Sequence, residues 1–169
     1  MKIKLIICTT PNFLVGDATP SSNNGMSWYS KEELQYFKKN TLGHTLVFGL
    51  NTSKLVPLNL MKKDRNIEIM TPENNWEKIY DKYKNTDETI FICGGYSIYK
   101  WFIKEAIKHN FKEAFNIVEL YISFLKSHIE IKPIITPLYL FELNKLMQYY
   151  KIKTINKYED FDGYVFERN

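Results

Sequence analysis

The sequence is short of the residues that mark several protein classes. It has two cysteines, Cys8 and Cys93, in 169 residues. That is too few for a disulfide framework, and they form no metal or redox motif. The three histidines, His44, His109 and His128, are scattered. None has metal-ligand spacing to another His or Cys, so no metal is expected. No apolar run approaches the length of a membrane span, and Lys2 and Lys4 interrupt the first one. Neither a signal peptide nor a membrane association is therefore expected, and a reducing cytoplasm is the expected compartment. The charge excess is small, +4 from 23 basic and 19 acidic residues, and it is dispersed. A mildly basic solvated surface is expected rather than a nucleic-acid interface, with weak attraction for phosphate-bearing small molecules. There is no internal repeat and no linker, which leaves a single domain over residues 1–169. A chain of this length buries roughly 70% of its unfolded surface and needs no covalent staple. Its oligomeric state is not legible; a monomer is favoured.

Aromatics are plentiful, with 12 Tyr and 11 Phe alongside frequent Lys, Asn and Ile. This is consistent with coding bias, so single Tyr or Lys residues carry no weight. Patterning says more. Ile3, Leu5 and Ile7 alternate with Lys2 and Lys4 before Ile6-Ile7-Cys8 turns fully apolar, which predicts a central strand. Residues 11–27 are rich in Pro, Asn, Ser and Gly and read as a long loop. Ser30 opens a helix as N-cap, with Glu33 at the capping-box position. Strands are predicted at 45–50, 66–70, 89–93 and 118–125, and helical spacing follows at Trp76, Ile79 and Tyr83 and at Tyr99, Phe102, Ile103 and Ala106. Residues 129–143 resist ordering. Lys151 to Lys157 and Tyr164 to Arg168 form a closing hairpin with Asp162-Gly163 in its turn. The alternation predicts an α/β fold: a mainly parallel sheet with helices on both faces and an antiparallel C-terminal edge. Ligands in such sheets bind beyond the carboxyl ends of the strands, which directs attention to the loops after Cys8, Leu50 and Cys93.

Three constellations carry chemistry, each beside a plainer reading. Glu33 and Phe37 lie four residues apart and share one side of the helix with Leu34. Glu33 is either a capping-box acid reaching the Ser30 amide or a buried carboxyl of raised pKa. In the second case a nitrogen-rich heterocycle stacks on Phe37 and bonds the acid. Glu32 is the alternative acid. Gly94-Gly95, between a strand and a helix, is an ordinary tight turn or a place where backbone amides approach a pyrophosphate. Gly49, Asn51 and Thr52 cap a short helix, hold phosphate, or do both. Cys8 and Cys93 read as small core residues.

The order of these segments resembles the dihydrofolate reductase family. The series runs Ile6-Ile7-Cys8, Leu14-Val15-Gly16, Met26-Ser27-Trp28, Glu33-Leu34-x-x-Phe37-Lys38-x-x-Thr41-Leu42, Val47-Phe48-Gly49-x-x-Thr52, Ile92-Cys93-Gly94-Gly95-x-x-x-Tyr99 and Leu120-Tyr121-Ile122-Ser123. The resemblance covers residues 1–55 and 89–125. It implies an eight-stranded, mainly parallel three-layer sheet with four helices, and NADPH-dependent hydride transfer to 7,8-dihydrofolate giving tetrahydrofolate. It implies Glu33 as the acid, Trp28 as holder of an ordered water near it, and Ser123 as its hydrogen-bond partner where the family usually has Thr. It implies a substrate pocket of Ile6, Ile7, Phe37 and Ile92. The NADPH contacts it implies are Cys8, Val15, Gly16, Gly49, Asn51, Thr52, Thr71, Ile92, Gly94, Gly95, Tyr96, Ser97, Ile98 and Tyr99. Gly16 to Met26 would close over the nicotinamide, and Gly94-Gly95 is joined by a cis peptide in the family.

Departures from the family are as specific. Ser27 replaces the usual Pro between Met and Trp, and Ser21-Ser22-Asn23-Asn24 lengthens the closing loop. Leu50 stands where a basic residue meets the 2′-phosphate of NADPH, within Asn51-Thr52-Ser53 in place of a basic-Thr-Trp block. Asp64 occupies the register of the arginine that grips the folate α-carboxylate, with Lys63 and Arg65 beside it. Ile134-Ile135-Thr136-Pro137 replaces an acidic-x-Phe-Pro segment. Two alternatives to dihydrofolate reduction follow. One is a reductase of the same fold acting on another pterin or a riboflavin precursor. The other is a non-catalytic protein retaining the fold.

Overall fold

Alternation in the first strand sets the middle of the molecule. In the computed structural model, which describes residues 1–19 and 27–169, β1 (Lys2–Thr9) buries Ile3, Leu5 and Ile7 against one layer of helices and turns Ile6 toward the other. Then follow β2 (Leu14–Asp17), α1 (Lys31–Thr41), β3 (Thr45–Gly49), α2 (Leu50–Ser53), α3 (Leu58–Met61), β4 (Asn66–Met70) and α4 (Trp76–Tyr83). The chain continues through β5 (Thr89–Ile92), α5 (Tyr96–Lys108), β6 (Ile117–Leu125), β7 (Pro137–Tyr139), α6 (Glu142–Met147), β8 (Tyr150–Lys157) and β9 (Phe161–Arg168).

Among the described residues the main sheet has seven strands in the order β4-β3-β5-β1-β6-β9-β8. Its first five are parallel, and β9 and β8 add the antiparallel edge. The expected eighth strand is not in this sheet: the four-residue β2 pairs instead with the three-residue β7 in a separate ribbon. Helices cover both faces. On one, α4, α5 and α6 bury Ile79, Phe102, Ile103, Leu143 and Leu146. On the other, Phe37 of α1 joins Ile6, Leu46, Phe48 and Phe91. The chain leaves neighbouring β1 and β5 for opposite faces, toward α1 and α5, so a crevice forms at their carboxyl ends. Among the described residues no helix is long and apolar enough to cross a membrane, and no three His, Cys, Asp or Glu side chains form a group able to hold a metal.

Three local expectations are corrected. The stretch read as loop over 11–27 contains β2. The Thr10 hydroxyl, just before this stretch, accepts the Leu14 N–H at 3.0 Å, a side-chain turn that the Pro/Asn/Ser composition concealed. The 129–143 segment contains β7 and leads into α6, whose Leu143 and Leu146 pack against the α5 layer. The closing hairpin turns at Tyr158 to Asp160, with the Tyr158 N–H donating to Phe161 O at 3.0 Å. Asp162 and Gly163 lie within β9, not in the turn, because both pair with β6 and β8; the Tyr36 hydroxyl approaches Gly163, where a Cβ would stand 2.9 Å from that oxygen.

The Ser30 cap forms as the sequence predicts. Its hydroxyl accepts the Glu33 N–H at 3.1 Å and donates to Asp160 Oδ2 at 2.6 Å. Ser30→Ala should cost about 1–2 kcal/mol, read as a shifted urea midpoint with unchanged slope.

Candidate active site

At the crevice, α1 presents Glu33, Tyr36, Phe37 and Thr41 inward, one turn apart, while Leu34 is 47% exposed. The inward face therefore runs through Tyr36 rather than Leu34, the residue grouped with Phe37 from sequence. Glu33 is 8% exposed, and no hydrogen bond to its carboxylate is found among the described residues. It does not reach the Ser30 amide, so the plain capping-box role is not the one taken. Its neighbour Glu32 is the one engaged, accepting the Asp160 N–H at 2.9 Å. Burial pushes the Glu33 carboxyl up to about 7. Its charge bears on Cys8 and Tyr99, and burial together with that charge holds the Cys8 thiol and Tyr99 phenol well above their ordinary values.

Trp28 is buried beside Cys8, Leu125 and Phe161. Its indole N–H has no hydrogen-bond partner among the described residues. The Cys8 sulfur nearby is too weak an acceptor to satisfy it. A buried N–H without a partner normally meets a ligand or water. Ser123 is buried in β6, paired with Cys8 across the β1–β6 ladder, and makes no hydrogen bond to Glu33. The expected Ser123–Glu33 bond is thus absent, although the ladder sets Ser123 beside Cys8 on the α1 side of the sheet.

The structure brings Ile6, Cys8, Trp28, Glu33 and Phe37 to the α1 face. It does not bring the Ile7 and Ile92 side chains there. Both lie on the opposite face, in the cluster that includes Tyr99 and takes in Val15, Tyr96 and Ile98 at its margin. The two faces meet at the sheet's end, where the Tyr99 hydroxyl donates to Ile6 O at 2.6 Å.

Two glycine corners join this end. The Gly49 N–H donates to Gly94 O at 2.7 Å. A Cβ on Gly49 would stand 2.8 Å from Ile98 Cγ1, and one on Gly95 would collide with the Thr52 hydroxyl. The Gly94–Gly95 peptide is cis. Gly95 caps the thirteen-residue α5 without a side-chain bond, so the N–H groups of Tyr96 and Ser97 face outward from the first turn. Together these groups gather free backbone amides at one end of the sheet, an arrangement suited to a phosphate-bearing ligand. Asn51 and Leu50 are exposed at its rim. Thr71, at the end of β4, spends its hydroxyl as acceptor for the Asn74 N–H at 2.9 Å. Met26 and the Ser21 to Asn24 insertion lie outside the described residues; Gly16 lies at the end of β2.

The sequence named Arg65 but not its engagement, and it gave no sign of Tyr36 or Asp17. Arg65 is buried, donating from Nε to Asp64 Oδ1 at 2.8 Å and from Nη1 to Thr41 Oγ1 at 3.2 Å. Thr41 in turn donates to Phe37 O at 2.8 Å, linking this ion pair to the helix that carries Glu33. Tyr36 has a buried hydroxyl without a partner among the described residues. Asp17 gathers backbone amides from the Ile135–Thr136 segment. Sequence offers little signal for these states, since Arg65 also reaches Thr41 in α1 and Asp17 bonds a segment more than a hundred residues away.

A family model described as dihydrofolate reductase matches residues 2–114. The dihydrofolate reductase of Mycoplasma genitalium is 33% identical over 98 residues, which cover 50% of this chain and 61% of that protein. That of Ureaplasma parvum serovar 3 is 34% identical over 115 residues, covering 62% of this chain and 69% of that one. That of Buchnera aphidicola subsp. Schizaphis graminum is 30% identical over 116 residues, covering 64% and 69%. The matched parts thus span 61% to 69% of these relatives' lengths. With the family model covering well over half the sequence, and the same segments lining one crevice, the chain belongs to the dihydrofolate reductase family.

Proposed function

We propose that the chain is an NADPH-dependent dihydrofolate reductase, transferring hydride to 7,8-dihydrofolate to give tetrahydrofolate. The observation that carries this reading is the Glu33 carboxyl: buried, raised to about 7, and without a described hydrogen-bond partner. It sits on the same helix face as Phe37, across the sheet end from an amide-rich glycine surface. A pyridine dinucleotide would meet free backbone amides there, at the first turn of α5, which Gly95 caps without a side-chain bond. Gly49, Asn51, Thr52 and Thr71 would hold one part of it. Gly94, Gly95, Tyr96, Ser97 and Ile98 would hold the pyrophosphate, and Cys8, Val15, Gly16, Ile92 and Tyr99 the nicotinamide. When bound, NADPH supplies the hydride.

The chain's residues supply the rest. Ionised, the Glu33 carboxylate accepts two charge-assisted hydrogen bonds from a cyclic amidine. Protonated, its Oε holds a proton for delivery toward a ring nitrogen, directly or through water. A carboxyl titrating near 7 populates both states at neutral pH. Phe37 offers a ring face to a flat heterocycle. The unpaired Trp28 N–H can hold a water beside the acid. Ile6 and Ile7 wall the sheet end, and Ser123 contributes a buried hydroxyl nearby. Disappearance of NADPH absorbance with dihydrofolate, blocked by methotrexate, tests the reading. Absent turnover with retained NADPH binding points to another substrate, and absent binding of either ligand to a fold kept for another purpose.

A second reading concerns the far end of the substrate. Asp64 and Thr41 already engage the Arg65 guanidinium, and Asp64 stands where the family's carboxylate-gripping arginine is found. This favours a substrate whose glutamate tail contributes little. A charge-assisted pair worth about 1.5–3 kcal/mol changes kcat/KM roughly ten- to hundredfold. We expect a dihydropterin lacking that tail to lose less than about threefold, measured by steady-state kinetics. A tenfold loss would restore ordinary recognition of the tail, through Arg65 or Lys63.

A further inference from the structure

The β2–β7 ribbon is slight for what it carries. Its strands have four and three residues and stand apart from the main sheet. A lone two-stranded ribbon is marginally stable at best. The pairing also slips: Leu14 faces Tyr139, Gly16 faces Leu138, and Val15 is the bulged residue between them. A one-residue error of register reverses the face of every following side chain. Here the affected residues are Val15 and Gly16, which the reading above sets against the nicotinamide.

Asp17 stands two residues after the bulge, opposite Pro137. Its Oδ1 accepts the N–H groups of Thr19 and Thr136, both at 2.9 Å, and its Oδ2 accepts the Ile135 N–H at 2.9 Å. The first bond is a local turn of the kind Asp often makes. The other two reach across more than a hundred residues of sequence to the segment entering β7. Around them, Ala18 N–H donates to Thr136 O at 2.8 Å and Leu140 N–H to Phe13 O at 2.8 Å. The carboxylate has no cation partner among the described residues, so backbone amides alone hold it. They keep its carboxyl below the usual range, the Ile135 N–H foremost. An acid needed only for a surface turn would not use both oxygens on the distant segment that leads into β7.

We infer that Asp17 is a positioning residue for the cofactor side of the site, its carboxylate setting the register of the ribbon and thereby the placement of Val15 and Gly16. The inference rests on the proposed reductase reading. Asp17→Ala and Asp17→Asn test it. Asn keeps one oxygen for two donors but turns an NH2 toward the Ile135 N–H, so its effect should be intermediate.

Amide hydrogen exchange reports on the ribbon without any ligand. In Asp17→Ala the Ile135 and Thr136 amides should exchange at least about tenfold faster, with the core strands and the melting temperature nearly unchanged. Fluorescence titration should show NADPH Kd raised about tenfold, with KM for NADPH following and kcat at saturation within about threefold. A merely structural role would lower the melting temperature and leave this split absent. Unchanged exchange would overturn the inference, as would faster exchange with unaltered NADPH Kd. A wild-type protein that binds no nicotinamide dinucleotide would overturn the underlying reading, an outcome seen before any variant is compared.

Discussion

Glu33→Gln should lose turnover by about 10²–10³-fold at pH 7 while gaining stability in alkaline solution. The amide is nearly isosteric, so packing against Tyr36 and Phe37 is retained. It cannot take the anionic form that grips a cyclic amidine, nor pass a proton on. The gain in stability follows from the sign of the pKa shift. Burial raises the Glu33 carboxyl to about 7 in the folded protein, against an ordinary 4.5. At low pH both folded and unfolded chains carry it protonated, and it has no effect. As pH rises through 4.5 the unfolded chain releases its proton and the folded one does not, so wild-type stability falls until about pH 7 and then levels off. The cost above pH 7 is on the order of 3 kcal/mol. The Gln variant should lack this decline and melt higher than wild type at pH 8, with the two converging near pH 4. Denaturant titrations at several pH values read the stability, and NADPH-coupled assays read the rate. A variant with full turnover would sink the role given to Glu33. A wild type without the decline would show that the carboxyl is hydrated or paired in solution.

Gly94→Ala should damage both stability and cofactor binding. Gly94 has φ +101°, a conformation that L residues rarely adopt, and a Cβ there would stand 2.8 Å from Tyr99 Cε2. The ring cannot simply yield: it is 8% exposed, and its hydroxyl is tied to Ile6 O at 2.6 Å. Backbone strain and overpacking together cost about 2–5 kcal/mol. For a domain of this size that lowers the melting temperature by roughly 5–15 °C. Because Gly94 O also accepts the Gly49 N–H, the displacement should spread across both glycine corners and weaken NADPH binding. Tyr99→Leu in the same chain should relieve the collision. The double variant should then be less destabilised than the two single effects added together, and strict additivity would exclude the steric account.

The layout of the sheet was legible because periodicity records burial. Lys2 and Lys4 alternate with Ile3 and Leu5, as one face of β1 requires near its start, and the run turns fully apolar where helices cover both faces. The Ser30 cap was legible because its signal is local: one hydroxyl reaching an amide three residues on. The ribbon was not. β2 and β7 are short, carry Pro and Gly, and take their stability from partners far along the chain. Gly163 read as a turn residue for the same reason, since nothing local tells of the Tyr36 hydroxyl closing on it.

The candidate site divides in the same way. By itself the sequence determined the residue types: an acid and an aromatic on one helix face, two glycine corners after strands, and a tryptophan before the helix. Spacing along a helix or strand is enough to place such groups on one element. Tertiary structure alone decided their states. It settled that Glu33 rather than Glu32 is the acid left without a described partner, that Ile7 and Ile92 face away from Ile6, that Ser123 does not bond the acid, and that Arg65 is engaged by Asp64 and Thr41. The physical reason is that a carboxyl's pKa and a donor's satisfaction depend on what surrounds them within a few ångströms. Those neighbours come from β1, α1, β6 and the hairpin at the chain's end, which local sequence does not bring together.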